Sequence, residues 1–167
     1  DGALRWKRGV RPPEIEEHHR ADGSPAASSP ATDGRHVVSY FGSFGVICHD
    51  VAGRELWRRP MPLAESGGKF GTGTSPVIHG ARVLLNRDVY QGSALLCLDL
   101  ATGRTLWETP RPESAGSFGT PVVWKTDGAE EVVVAGTAQL KGYDLNTGEE
   151  RWGIRGVAGV VCTTPVI

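Results

Sequence analysis

Leu98-Asp99-Leu100-Ala101-Thr102-Gly103-Arg104-Thr105-Leu106-Trp107 is the stretch that decides the fold, because copies of it recur along the chain. Residues 143–152 repeat it almost position for position, residues 49–57 repeat it with one turn residue fewer, and residues 2–6 form a shortened copy. In all four copies a glycine stands four residues before a tryptophan. These copies hold four of the five tryptophans, so the chain is predicted to repeat one structural unit.

The repeated stretch predicts a β-hairpin whose first strand ends at the aspartate. The aspartate can accept hydrogen bonds from the backbone N–H groups of the turn, and the glycine takes the positive-φ position that closes the loop. The tryptophan then points from the second strand toward a neighbouring unit. The alternative is a surface hairpin with an exposed tryptophan, although periodic large aromatics are better explained by burial. The residues expected to dock one unit on the next are Trp6, Trp57, Asp99, Gly103, Trp107, Asp144, Gly148 and Trp152.

A second landmark gives the same period. Ser29-Pro30, Ser75-Pro76, Thr120-Pro121 and Thr164-Pro165 recur at intervals of 46, 45 and 44 residues, each before small or branched apolar residues. The most apolar runs, such as Val83-Leu84-Leu85, do not alternate with polar residues, as is typical of strands buried on both faces. No stretch keeps a helical apolar period. A period of this length in an all-β chain predicts four-stranded propeller blades.

Charge and hydropathy exclude several classes of partner. The 167 residues include 18 Lys plus Arg and 19 Asp plus Glu, so no basic field points to nucleic acid. No apolar run approaches the roughly 18 residues of a membrane span, and the N-terminus lacks the pattern of a signal peptide. We therefore expect a mature segment or an excised piece of a longer chain.

The combination of Ser/Thr-Pro, a glycine turn, an apolar strand and Asp-Leu-x-Thr-Gly-x-x-x-Trp resembles the pyrroloquinoline-quinone-like (PQQ-like) repeat. That repeat builds the quinoprotein alcohol dehydrogenases and also non-catalytic propellers of the bacterial outer-membrane assembly machine. The resemblance implies an all-β propeller of seven or eight blades and a periplasmic or extracellular location. It also implies two functions from different classes, a binding scaffold and a quinone-dependent dehydrogenase.

Three complete blades with partial units at both ends fit in the chain, which is fewer than a closed ring needs. A fragment of this kind would have exposed edges and would tend to aggregate. The predicted divisions are the end of a preceding blade and a polar connector at 1–23, blades at 24–60, 61–111 and 112–156, and the first strand of a following blade at 157–167.

The loops between second and third strands and the connections between blades emerge on one face of a propeller. On that face the stretch Asn86, Arg87, Asp88 and Tyr90 combines an amide, both charge signs and an aromatic ring, with Lys69 and Arg111 on neighbouring connections. We take these six residues as the candidate recognition patch. The alternative is a solvated loop in which Arg87 pairs with Asp88.

The sequence predicts no catalytic residue, metal site or cofactor. In the quinoprotein dehydrogenases the cofactor lies under a disulfide between adjacent cysteines, over a tryptophan, beside a calcium ion. This chain has no Cys-Cys pair, and Cys48 and Cys97 are expected to be packed thiols. Residues 16–19, Glu-Glu-His-His, offer possible metal ligands but are expected to form a solvated loop.

The predicted function is therefore a non-catalytic scaffold that binds envelope proteins, or a small-molecule or polymer ligand. A third hypothesis is an assembly factor that docks partner strands on its loop face. The alternative is a dehydrogenase with PQQ and calcium in blades outside this sequence.

Overall fold

The computed structural model describes residues 2–19, 21–157 and 159–167. In the described residues twelve strands form three antiparallel sheets, and each sheet contains four strands in sequence order. The strands are β1 (Ala31–Thr32), β2 (His36–Phe41), β3 (Gly45–Asp50), β4 (Glu55–Arg59), β5 (Val77–His79), β6 (Arg82–Arg87), β7 (Ala94–Asp99), β8 (Thr105–Pro110), β9 (Val122–Thr126), β10 (Ala129–Gly136), β11 (Gln139–Asp144) and β12 (Glu150–Arg155). Two single-turn 3₁₀ segments, Gly42–Phe44 and Gly67–Lys69, complete the regular structure.

The three sheets pack face to face, which confirms the predicted all-β fold of four-stranded propeller blades. Two apolar clusters fill the spaces between them. One joins β1–β4 to β5–β8, and the other joins β5–β8 to β9–β12. In β6 the side chains of Val83 and Leu85 belong to the first cluster, whereas Leu84 belongs to the second. The unbroken apolar run therefore serves both faces of one sheet, because successive side chains of a strand point to opposite sides.

The hairpins between the third and fourth strands close as their sequence predicts. The carboxylate Oδ1 of Asp99 accepts hydrogen bonds from the Thr102 backbone N–H at 2.8 Å and from its hydroxyl at 2.6 Å. Asp144 accepts an equivalent bond from the Thr147 backbone at 2.9 Å. Gly103 has a φ of 71°, which a residue with a side chain rarely adopts.

A β-bulge interrupts the pairing of the third and fourth strands at one equivalent place in every sheet. The register shifts between Cys48 and His49, between Cys97 and Leu98, and between Gly142 and Tyr143. A bulge adds local twist to the strand that carries it. The three sheets therefore share an irregularity that the sequence alone does not reveal.

Each hairpin tryptophan of the first two complete units lies on the hairpin glycine of the next unit. The Trp57 indole N–H donates to the Leu100 carbonyl at 2.8 Å, and a Cβ placed on Gly103 would lie 2.5 Å from a ring carbon of Trp57. Trp6 makes the same contacts one unit earlier, with a 3.0 Å bond to the Val51 carbonyl and its ring against Gly53. Only glycine permits this close approach.

The series continues with Trp107, whose indole N–H donates to the Leu145 carbonyl at 3.0 Å and whose ring lies against Gly148. Trp152 differs, because its ring packs edge-on against Trp124 of its own sheet, with 6.3 Å between the ring centroids. Trp152 was also expected to dock two blades. In the part of the chain that the structure describes, no further sheet follows β12.

The Ser/Thr-Pro landmarks form a second connection between sheets. The backbone N–H of Ser29 donates to the Ser75 hydroxyl at 3.0 Å, and the backbone N–H of Ser75 donates to the Thr120 hydroxyl at 3.1 Å. These bonds occupy the residues before β1 and β5. Strand β1 begins just after Ser29-Pro30 and comprises only Ala31–Thr32.

At both chain ends the predicted division into partial blades stays a prediction. Among the described residues, neither 2–6 nor 159–167 forms a strand, because no neighbouring strand pairs with either segment. The described residues of the 7–23 segment lack strand structure, but they are not simply solvated. Glu16 is 2% exposed, and its Oε2 accepts a hydrogen bond from the Ser43 backbone at 3.1 Å. This connector is therefore part of the packed structure.

Candidate functional site

The loops around the predicted recognition patch contact one another directly. The β6–β7 loop bonds to the β4–β5 connection through the Tyr90 backbone N–H, which donates to the Glu65 carbonyl at 2.8 Å. The β8–β9 connection bonds to the end of the same loop through the Arg111 N–H and the Ser93 carbonyl at 2.8 Å. The three segments therefore form one continuous surface.

A buried ion pair fixes the base of this surface. Arg111 is 1% exposed and donates to both carboxylate oxygens of Asp88, at 2.9 Å through Nε and at 3.2 Å through Nη2. It also donates to the hydroxyls of Tyr143 and Ser114. Burial opposes the charged form of Arg111, but the hydrogen bond and the negative charge of Asp88 outweigh that effect. The pKa of Arg111 consequently lies above its ordinary value.

Arg87 is the second buried cation and holds the β4–β5 connection in place. Its Nη2 donates to the Pro62 carbonyl at 2.8 Å and to the Leu63 carbonyl at 3.3 Å. Asn86 is fully buried, and its amide donates to the Gly119 carbonyl at 3.3 Å. These side chains bond to backbone carbonyls, so they order the loops and do not face solvent.

The structure thus divides the predicted patch. Four members are buried and bonded within the protein, and these are Asn86, Arg87, Asp88 and Arg111. Only Lys69 and Tyr90 are exposed. The alternative of a solvated loop with an internal Arg87–Asp88 pair is wrong, because Asp88 pairs with Arg111 and all three side chains are buried. The six residues do not form a common contact surface.

The two exposed residues line a cleft of about 490 Å³ between the β4–β5 connection and the N-terminal connector. We call it the loop-face cleft, and its lining residues are Glu14, Ile15, Glu17, Leu63, Glu65, Ser66, Lys69 and Tyr90. Its apolar side chains are well exposed, at 52% for Ile15, 39% for Leu63 and 56% for Tyr90. The cleft therefore exposes apolar side chains on loops whose backbone is fixed by buried hydrogen bonds.

Lys69 occupies an unusual backbone conformation at the edge of this cleft. Its φ is 60°, in the left-handed region that L-residues with a side chain rarely adopt. Surrounding contacts maintain it, since its N–H donates to the Ser66 carbonyl at 3.1 Å and its carbonyl accepts from the His19 N–H at 2.7 Å. Its ammonium group pairs with Glu17 at 2.6 Å. Such strained residues are concentrated at functional sites.

Sequence reasoning missed most of the cleft. Ile15, Leu63, Glu65 and Ser66 lie in two connectors that are far apart in the sequence and carry no repeat pattern. A usable signal was present in Glu14-Ile15-Glu16-Glu17, where one large apolar residue stands among carboxylates in a segment without strand character. A lone apolar residue in a polar connector indicates a contact.

The sequence of the chain matches a known protein family. A family model described as outer membrane protein assembly factor BamB, which represents PQQ-like repeats, matches residues 1–159. The chain belongs to this family. A comparison with curated protein sequences gives no significant match.

Solved structures of two kinds share the fold of this BamB-like chain. BamB from Moraxella catarrhalis superimposes with a TM-score of 0.55 at 20% identity, over 77% of this chain and 36% of that one. Quinohemoprotein alcohol dehydrogenase from Comamonas testosteroni superimposes with a TM-score of 0.62 at 20% identity, over 81% of this chain and 22% of that one. The BamB-like chain thus spans about a third of the first protein and about a fifth of the second. At this identity the likeness establishes the fold alone.

The cysteines and tryptophans considered for a quinone site make structural contacts within the described residues. Cys48 and Cys97 are free thiols buried in different inter-sheet clusters, and burial raises the pKa of each to about 11. Trp57 and Trp107 each have a hairpin glycine against the ring, as described above. Within the described part of the chain, no three His, Cys, Asp or Glu side chains converge on one metal position. No helix there is long and apolar enough to cross a membrane.

Proposed function

We propose that this BamB-like chain is part of a non-catalytic propeller that binds other proteins in the bacterial cell envelope. The loop-face cleft is its contact surface. The observation that carries the proposal is the exposure of Ile15, Leu63 and Tyr90 around a single cleft on a backbone that buried side chains hold in place. Exposed apolar side chains gathered at one site and bordered by polar groups mark interaction surfaces.

The order beneath the cleft supports this proposal. Arg87 and the Arg111–Asp88 pair bond the two connections and the β6–β7 loop to one another, so the exposed side chains start from fixed positions. A surface that is ordered before binding loses less conformational entropy when the partner arrives. The family description, an outer membrane protein assembly factor, supports the envelope location.

Site-specific photo-crosslinking in the full-length protein tests this function. A photoreactive phenylalanine analogue replaces Tyr90 in one variant and Leu106 in the control. The two positions have similar exposure, 56% and 52%, but Leu106 lies on the outer strand β8, away from the cleft. We expect a crosslink to an identifiable envelope protein from position 90 and none from position 106. Equal labelling at the two positions, or none at position 90, would overturn the proposal.

A second measurement addresses the dehydrogenase alternative. The purified full-length protein is examined for absorbance by a bound quinone, and for dye-linked oxidation of alcohols and sugars after addition of PQQ and calcium. We expect neither a chromophore nor activity. A quinone spectrum, or turnover that depends on the added quinone, would show that the propeller is catalytic.

A further inference from the structure

We infer that the segment recognised by the loop-face cleft is an extended basic peptide in which lysine or arginine alternates with apolar side chains. This inference rests on the proposed function, because it gives the chemistry of the partner at the same cleft. It follows from the charges at the rim, the apolar walls and an unsatisfied hydroxyl at the base.

The rim of the cleft carries an excess of carboxylates. Three glutamates and one lysine line it, and Lys69 is already paired with Glu17 at 2.6 Å. Among the ion pairs of the described residues, none includes Glu14 or Glu65. These two exposed carboxylates therefore remain available to a cationic group of a partner.

The negative rim is a local feature of the protein. The formal net charge of the whole chain is −1, so the molecule as a whole has little attraction for a cation. A basic segment bound here would depend on the charges of Glu14 and Glu65 themselves. Complementary charges at a rim mainly select the partner and its orientation.

The base of the cleft contains a polar group without a partner. Ser66 is 6% exposed, and its hydroxyl makes no hydrogen bond among the residues that the structure describes. A buried hydroxyl without a hydrogen bond is energetically unfavourable, and a backbone group of a bound peptide would satisfy it. This observation is independent of the rim charges and also indicates a polar ligand at the base.

An extended peptide satisfies all three features together. In an extended chain successive side chains point to opposite sides. Apolar side chains at alternate positions would pack against Ile15, Leu63 and Tyr90, and the intervening lysines or arginines would lie toward Glu14 and Glu65. The peptide backbone would then pass over Ser66.

Fluorescence anisotropy with two labelled peptides tests this inference on the full-length protein. One short peptide alternates lysine with leucine, and the other has glutamate in place of each lysine. We expect the wild-type protein to bind the lysine peptide and not the glutamate peptide. The double variant Glu14→Gln/Glu65→Gln should bind the lysine peptide about fivefold more weakly, as loss of two exposed ion pairs implies. Added salt should reduce the difference.

The variant Glu149→Gln provides the matched control, because Glu149 is exposed in the β11–β12 turn, outside the cleft. It should bind like the wild type. Equal affinity of the double variant and the wild type, preference for the glutamate peptide, or a loss in Glu149→Gln as large as in the double variant would overturn the inference. If crosslinks from position 90 persist in those cases, the proposed function stands and only the basic chemistry of the partner is wrong. If no crosslinks form at position 90, the proposed function itself fails.

Discussion

The indole ring of Trp107 lies on Gly148, 41 positions later in the sequence, at a distance that leaves no room for a Cβ. A Cβ built on Gly148 would lie 2.5 Å from the ring, and the Trp107 N–H binds the Leu145 carbonyl in the same hairpin. One side chain thus joins two sheets by apolar contact and by a hydrogen bond. The stability of the stacked sheets should therefore depend on both partners of this contact.

Gly148→Ala should destabilise the protein more than Gly34→Ala. Both glycines have positive φ, 74° and 87°, so alanine is strained at each by about 1–2 kcal/mol. Only at Gly148 does the new methyl group also meet Trp107, whereas Gly34 has open space. Overpacking adds about 1–3 kcal/mol at Gly148. Chemical denaturation of both variants measures the difference, and equal losses would mean that the ring moves aside without cost.

Trp107→Ala should reduce the free energy of unfolding by about 3–5 kcal/mol, as large-to-small changes in a core do. Trp107 is 9% exposed and belongs to the cluster between the second and third sheets. Trp124→Ala is the control, because Trp124 is 39% exposed on β9 and should cost clearly less. A change near zero for Trp107→Ala would show that this residue does not dock one sheet on the next.

Arg111→Ala should cost about 3–5 kcal/mol, since it leaves the Asp88 carboxylate buried without its partner. Arg54→Ala removes a pair of similar length, 3.1 Å to Asp50, but Arg54 has a 77% exposed side chain. Such surface pairs contribute about 0–1 kcal/mol. Thermal unfolding compares the two variants. Adding Asp88→Asn to Arg111→Ala should recover part of the loss, and a further loss instead would contradict this account of the pair.

Arg87→Ala should mainly reduce stability, whereas Tyr90→Ala should mainly weaken binding. Arg87 is 5% exposed, and its removal leaves the carbonyls of Pro62 and Leu63 without their donor, a cost of about 1–3 kcal/mol. Tyr90→Ala should change stability by no more than about 0.5 kcal/mol and should weaken binding of the lysine–leucine peptide. Unfolding and anisotropy measured on both variants separate the two roles. A large loss of stability in Tyr90→Ala would make that residue structural.

Asp144 should contribute stability that is lost in acid. The Arg151 side chain and the backbone N–H groups of the turn lower the pKa of Asp144 to about 2, from an ordinary value of 3.8. A lowered pKa in the folded state stabilises the protein above the unfolded value, and this contribution disappears as pH falls through the folded value. The difference in stability between wild type and Asp144→Asn should therefore shrink from pH 3.8 toward pH 2. A constant difference over that range would contradict the ionic contribution.

The hairpins and the repeat could be predicted from the sequence because their chemistry is local. Asp99, Thr102 and Gly103 close a turn within five residues, so the residue types identify the structure. The spacing of the landmarks then gives the number of sheets. The register shift before Asp50, Asp99 and Asp144 escaped prediction, since it depends on pairing with the next strand.

The candidate site was much less predictable, because burial of a charged side chain is decided by tertiary contacts. Arg111 looks like a surface residue of a polar connection, yet Asp88 in the β6–β7 loop and Tyr143 in β11 enclose it. The burial of Glu16 was not predicted for the same reason, because its partner is the backbone of Ser43. The cleft itself joins residues 14–17 to residues 63–69, and no local pattern connects them.

Each contact between two repeats takes its tryptophan from one hairpin and its glycine from the next. A single sheet carries a tryptophan without its glycine partner and a glycine without its tryptophan. The smallest stretch with one whole contact runs from Trp107 to Gly148 and crosses the border between two sheets. When one full repeat is duplicated or lost, the break can lie anywhere within the repeat. The new neighbours still bring a hairpin tryptophan against a hairpin glycine. Repeat number in such a chain can change while the contact between neighbours stays the same.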